Sequence, residues 1–153
     1  ALGLGFHPDL TAIANIYQSS ILLGLSKKQI AEKTDDIIKF AELEKFADTK
    51  IKNFSSGMAM RLAFATAVQV DPAVLLLDEV IAVGDLNFQK KCLDVMSDFK
   101  KRGKSIVLVS HNSGDIEQLC DRAMFLKDGH IEILGKPDKV LDSYTNYMSK
   151  LQK

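Results

Sequence analysis

The sequence lacks the features that would send a chain out of the cell or into a membrane. It has two cysteines in 153 residues, Cys92 and Cys120, far apart and without metal-ligand spacing. They point away from a disulfide framework and a cysteine-held zinc, and read as reduced core thiols of a cytosolic protein. No apolar run approaches the roughly 18–20 residues that span a bilayer. The chain opens Ala1-Leu2-Gly3-Leu4-Gly5-Phe6, with no basic leader and no cleavage pattern, so no secretory signal is expected there. A first residue other than Met fits a fragment or a processed product. Charge of one sign is missing too: Lys plus Arg is 20 and Asp plus Glu is 20. Nucleic-acid binders usually carry a basic excess, so no nucleic-acid partner is expected. Internal repeats and low-complexity stretches are absent. What remains is 46% hydrophobic and 26% charged, enough to build the core of one compact domain or a large piece of one.

The character of the sequence changes near Asp71. Before it, the pattern is helical. Ser26-Lys27-Lys28-Gln29 has the form of a capping box, and Ile30, Ile37, Ile38, Ala41 and Leu43 recur behind it at helical intervals. A second helix is expected from about Gly57, ending before Asp71-Pro72. After Pro72, strands and helices alternate. Residues 73–77 form an all-apolar run, expected to be a parallel strand buried on both faces. A helix over about 85–102, a second buried strand over 105–109 and a short helix near 113–120 follow. Asp128-Gly129 should turn a hairpin, because both residues tolerate positive φ. Pro137 can open a final helix through about Met148. The predicted fold class is α/β: a helical subdomain, then a mainly parallel sheet with an edge hairpin.

Three local patterns carry chemistry. The run Leu75-Leu76-Leu77-Asp78-Glu79 ends an apolar strand in two acids, at the sheet edge where α/β folds bind ligands. Asp78 could orient Mg²⁺ through water and Glu79 could polarise an attacking water. A strand with a solvated acidic end is the plainer reading, and the motif alone does not choose. Asn53-Phe54-Ser55-Ser56-Gly57-Met58 runs straight into a helix, whose first amides could grip a phosphate together with the Ser55 hydroxyl. A Ser there is more commonly just an N-cap. Val107-Leu108-Val109-Ser110-His111 brings a histidine to a strand end, which by itself is weak.

Their order and spacing add force: the serine-glycine helix start, the acid-tipped strand about twenty residues on, the histidine-tipped strand about thirty residues later. In this order the sequence resembles the ATP-binding subunits of ABC transporters. Phe54–Met58 looks like their signature motif, Leu75–Glu79 like their Walker B strand with its catalytic Glu, Asp85 falls at the D-loop and His111 at the switch histidine. More narrowly, Gly5-Phe6-His7-Pro8-Asp9-Leu10-Thr11, residues 55–65 and residues 78–85 resemble the branch that exports O-antigen, capsule and teichoic acid.

The resemblance implies a P-loop NTPase-like fold, with 1–70 as Q-loop region and signature subdomain and 71–153 as the catalytic α/β part. Two nucleotide-binding domains would meet head to tail on ATP and Mg²⁺. Ser55, Ser56 and Gly57 would touch the ATP held by the partner subunit. Asp78, Glu79 and His111 would serve the chain's own ATP, and Asp85 would communicate across the dimer. An integral membrane permease would complete the exporter, placing the chain on the cytoplasmic face of the cell membrane, with Phe6 and the segment after Leu10 toward the permease.

Ser56 and Met58 depart from the usual Leu-Ser-Gly-Gly-Gln, although they fit this branch. No Gly-x-x-x-x-Gly-Lys-Ser/Thr occurs in the 153 residues, and no Gln precedes Gly5. That loop supplies most of the grip on the phosphates, so the polypeptide alone is expected not to hydrolyse ATP, and a sheet without the loop's strand is expected to expose apolar surface. The competing readings are a non-transport ABC-type ATPase working on DNA or ribosomes, and a degenerate module that lends its signature helix to a partner. His130, Tyr144 and Tyr147 are expected to be solvated or packing residues rather than ligands.

Overall fold

A computed structural model describes residues 5–78 and 84–151. The elements in order are helices α1 (Ala12–Leu22) and α2 (Lys27–Ala41), two single 3-10 turns at Glu44–Phe46 and Ile51–Asn53, then α3 (Ser56–Gln69), β1 (Val74–Asp78), α4 (Leu86–Lys101), β2 (Ser105–Val109), α5 (Ser113–Leu119), β3 (Ala123–Lys127), β4 (His130–Gly135) and α6 (Pro137–Leu151). They fall into two compact units, residues 1–107 and 108–153.

Local chemistry sets the helix boundaries in the first unit. Ser26 and Gln29 close the expected capping box: Gln29 N donates to Ser26 Oγ at 3.4 Å and Ser26 N to Gln29 Oε1 at 2.9 Å. The helix ends at Glu42, in the left-handed region at φ 60°. Along α2 the buried residues Ile30, Thr34, Ile37, Ile38 and Ala41 fall on one stripe, and Lys27, Lys28, Glu32 and Lys39 are exposed. That stripe packs with Ala12 and Ile16 of α1 and Leu62 and Ala65 of α3 into one buried cluster. Phe40, Phe64 and Phe88 add an aromatic group, with ring centroids 5.8–6.3 Å apart. Through Phe88, Cys92, Met96 and Phe99, α4 buries its own apolar stripe. Burial pushes the Cys92 thiol up to about 12, so it stays protonated and inert. Cys120 sits half-buried at the end of α5 rather than in the core, and neither cysteine is in a disulfide.

Strands β1 and β2 are neighbours joined through α4, the long kind of crossover that parallel strands need. Both were expected to be buried on two faces, and this is corrected by the structure. Leu75 and Leu77 are buried, but Leu76 is 70% exposed and Val74 53%. On β2, Val107 and Val109 are likewise more than half exposed. Among the described residues, one face of β1 is covered and the other is not. An all-apolar strand sequence records that two faces suit burial, not that both are covered within this length of chain.

The second unit is the hairpin of β3 and β4 with α5 and α6. Asp128 at φ 49° and Gly129 at φ 78° make the tight turn, both in the left-handed region that Asp-Gly favours. His130 is the exposed first residue of β4, paired with Lys127. Phe125 packs against Tyr144 and Tyr147 of α6 at 5.3 and 5.5 Å, so the two tyrosines are packing residues. Met124, Leu126, Ile131 and Leu134 are exposed on the hairpin. No helix among the described residues is long and apolar enough to cross a membrane.

In the first unit Asp71 holds a junction between elements. It follows α3 with φ 58°, a conformation Asp tolerates. Its carboxylate accepts from Lys104 Nζ and, at 2.7 Å, from Arg102 Nη1, while Lys104 Nζ also donates to its carbonyl at 2.8 Å. The Lys104 bond first, then Arg102, hold its carboxyl below the usual 3.8. A depressed carboxylate contributes stability that is fully present above the unfolded-state value and is lost as pH falls through the folded one. With the group half exposed, that contribution is at most about 1 kcal/mol. We expect Asp71→Asn, which keeps the left-handed backbone, to flatten the loss of stability below about pH 4, followed by urea denaturation across pH 2.5–6.

Candidate functional site

The second helix pattern of the sequence produces a well-formed N-terminus. Phe54 packs edge-on to Phe46 at 6.4 Å and its amide closes the preceding turn on Ile51 O at 2.9 Å, fixing the entry of the chain. Ser55 is the N-cap, with an extended backbone, and its Oγ accepts from Met58 N at 3.2 Å. The plainer reading of Ser55 is therefore correct as structure. It does not exhaust the residue, because capping uses a lone pair of the hydroxyl and leaves its proton to donate elsewhere. Ser55 and Ser56 are exposed and Gly57 half-buried, so the hydroxyls and the first helical amides stand at the positive end of α3. An anion fits such a terminus. The buried side of the helix holds it in place: Leu62, Ala63, Phe64, Ala65 and Thr66 are all buried.

Asp78 is the exposed last residue of β1, where the sequence placed an acid-tipped strand. Glu79 lies outside the described residues. Asp85 is exposed and caps α4, accepting from Phe88 N at 3.0 Å. That amide first, with Arg61 in support, holds its carboxyl below the usual 3.8. In the second unit, His111 is exposed just past β2, and the backbone on either side of it is pinned by short-range bonds. Asn112 N donates to Ser110 Oγ at 3.0 Å, Gly114 N to Asn112 Oδ1 at 2.9 Å, and Ser110 Oγ to Asp115 Oδ2 at 3.2 Å. Among the described residues there is no cluster of three or more metal-ligating side chains.

The structure ties Asp85 to the helix that Ser55 starts, by way of a residue that sequence reasoning passed over. Arg61 of α3 donates to Asp85 Oδ2 at 2.8 Å and to Glu42 Oε2 at 3.0 Å. These partners are 24 and 19 residues away in sequence, so no local spacing announces them. Asn15 is a second such residue. Fully buried, it accepts from His7 N at 2.6 Å and its Nδ2 faces the carbonyls of His7, Leu10 and Thr11 at 2.9–3.2 Å. It thereby fixes the segment that carries the branch-like Gly5–Thr11 pattern. His7 itself has a local role, its Nδ1 accepting from Asp9 N at 3.3 Å.

The family model described as ABC transporter matches residues 4–82, and the chain belongs to that family. Among individual proteins, it is 43% identical over 148 residues to an O-antigen export system ATP-binding protein of Klebsiella pneumoniae, covering 97% of this chain and 60% of that protein. A Myxococcus xanthus protein of the same description is 46% identical over 97% of this chain and 34% of its own length. A teichoic acids export ATP-binding protein of Listeria monocytogenes is 38% identical over the whole chain and 46% of its length. The chain thus spans about 60% or less of these relatives. A solved dimeric ATP-binding cassette bound to ADP and Pi superposes with a TM-score of 0.72 at 28% identity, over 86% of this chain and 59% of that one. The α/β fold expected from the sequence is the fold of these cassettes.

Because Ser55 caps α3, removing its side-chain oxygen should have a structural cost apart from any ligand. We expect Ser55→Ala to lower the unfolding free energy of the chain by about 1 kcal/mol and Ser55→Asp to retain the wild-type value, as read from chemical denaturation midpoints.

Proposed function

We propose that these residues are the signature-bearing and catalytic part of an ATP-binding subunit that powers export of a cell-surface polysaccharide across the cytoplasmic membrane. The observation that carries this is the exposed Ser55-Ser56-Gly57 terminus of α3, held to Asp85 through Arg61, in an ABC transporter chain 43% identical over 97% of its length to an O-antigen export protein.

On this reading Ser55, Ser56 and Gly57 receive the terminal phosphate of an ATP bound by the partner subunit. The Ser55 hydroxyl proton and the first amides of α3 match an anion and need no rearrangement of the helix. Asp78 would hold Mg²⁺ through water. Mg²⁺ favours one or two carboxylates with waters and phosphate oxygens, so an acid at this strand end is the kind of ligand it takes. When bound, the ion neutralises charge on the phosphates. Glu79 would orient and deprotonate the attacking water, and His111 would contact the phosphate being transferred. Asp85, on the D-loop, would relay the state of one site to the other.

Residues 1–70 would then form the signature side of the molecule and 71–153 the catalytic side. The partners are a second copy of the nucleotide-binding domain, head to tail, and an integral membrane permease, which places the protein on the inner face of the cell membrane. Ile21, Leu22 and Leu23, at 50–72% exposure at the end of the segment after Leu10, offer apolar surface for the permease. A non-transport ABC-type ATPase remains the alternative by family alone; the O-antigen and teichoic acid relatives favour export.

The test is ATP turnover by the full-length subunit. We expect Glu79→Gln to reduce it by about 10²–10⁴-fold, the range general-base removal produces, while the 153-residue chain alone shows none. Turnover by the isolated chain, or wild-type turnover by the Glu79→Gln subunit, would contradict the proposal.

A further inference from the structure

Arg61 stands two turns into α3, half-buried, and its one side chain reaches two other elements. Nη2 donates to Asp85 Oδ2 at 2.8 Å, and Nη1 to Glu42 Oε2 at 3.0 Å. The guanidinium also lies 5.0 Å from the centre of the Phe88 ring. Glu42, the left-handed cap of α2, takes Lys91 of α4 as well. One planar group therefore holds the end of α2, the cap of α4 and the first-turn aromatic of α4 against the helix that Ser55 begins.

Gly84 makes this approach possible. It stands at φ 83°, and a Cβ there would lie 3.1 Å from Arg61 Nε and 3.2 Å from Phe88 Cβ. A side chain at this position would be strained and would press on the guanidinium. Neither helix needs Arg61 in order to start, because Ser55 and Asp85 are themselves the caps. Ion pairs with exposed partners contribute little to stability. Stability is a poor explanation for so specific an arrangement; placement is a better one.

We propose that Arg61 is a positioning residue that couples the Ser55–Gly57 terminus to the D-loop residue Asp85, so that phosphate engagement at one is felt at the other. This rests on the ATPase reading above. Arg is required rather than Lys, because only a two-armed planar cation can bind Glu42 and Asp85 at once while stacking on Phe88. Neither Arg61 nor Glu42 need touch nucleotide.

The test is steady-state ATPase kinetics and thermal stability in the full-length subunit. Arg61→Met and Asp85→Asn should each lower kcat by about tenfold with KM for ATP moving less than about twofold. Asn caps a helix as well as Asp does, so Asp85→Asn removes the charge and keeps the helix start. The double variant should fall no further than the more affected single one, because both remove the same link. Arg61→Lys should recover only part of the loss. Asp71→Asn breaks a comparable ion pair with Arg102 and serves as control, lowering Tm at most slightly and leaving kcat at the wild-type value. Coupling through Arg61 is refuted if Arg61→Met and Asp85→Asn behave like that control, or if their losses multiply in the double variant. Should Arg61→Met not fold, Arg61→Lys decides alone: a lowered kcat with KM for ATP moving less than about twofold supports the coupling, and kcat at the wild-type value refutes it. Glu79→Gln separates the two levels: if it turns over normally, the ATPase reading and this inference both fall. If it is dead while Asp85→Asn matches wild type, this inference falls by itself.

Discussion

Everything proposed for this chain depends on how α3 is held. The helix is short and begins with a serine cap, and neither cap nor propensity would aim it reliably at a ligand. Burial does. Leu62 and Ala65 sit in the same cluster as Ile16 of α1 and Ile30, Ile37 and Ala41 of α2, all with essentially no exposed surface. Phe64 joins Phe40 and Phe88 on an adjoining side. A helix gripped on both sides has little freedom to rotate or slide, since either motion opens a cavity in a close-packed core. Its unburied end, Ser55 and Ser56, is therefore a fixed feature of the surface.

From that fixed helix the other pieces follow by short links. Asp85 is reached through Arg61, and the segment 7–11 is stitched to residues 49–52 by main-chain bonds such as Ile51 N to Leu10 O at 3.0 Å and Lys52 N to Pro8 O at 2.9 Å. The two strand pairs are the less finished parts. Val74, Leu76, Val107 and Val109 in one pair of strands, and Met124, Leu126, Ile131 and Leu134 in the other, present apolar surface. Relatives of greater length have more chain with which to cover such faces, and exposed apolar strands invite association when left bare.

Much of this was legible in the sequence because it is encoded locally. The Ser26–Gln29 box, the Ser55 cap, the Asp71-Pro72 stop and the Asp128-Gly129 turn each act within four residues, and each stands where the pattern put it. Strands also formed over 74–78 and 105–109, the first ending at Asp78 and the second two residues before His111. Burial did not follow so simply. Leu76 is as apolar as Leu75 and Leu77, and which of them meets a neighbouring layer depends on chain far away in sequence. Arg61 was invisible for the same reason. On a helix it looks like an ordinary solvated cation, and its meaning comes from Glu42 and Asp85, which tertiary packing alone brings to it.

The central claim is that Ser55 serves an ATP held by another subunit, and oligomeric state reads this directly. With ATP, full-length subunit carrying Glu79→Gln should sediment as a dimer, because nucleotide is bound between two copies and not consumed. Adding Ser55→Arg to the same chain should return it to the monomer, by placing a bulky side chain where the phosphate must sit. A Ser55→Arg chain that dimerises with ATP as readily as its parent would contradict the account.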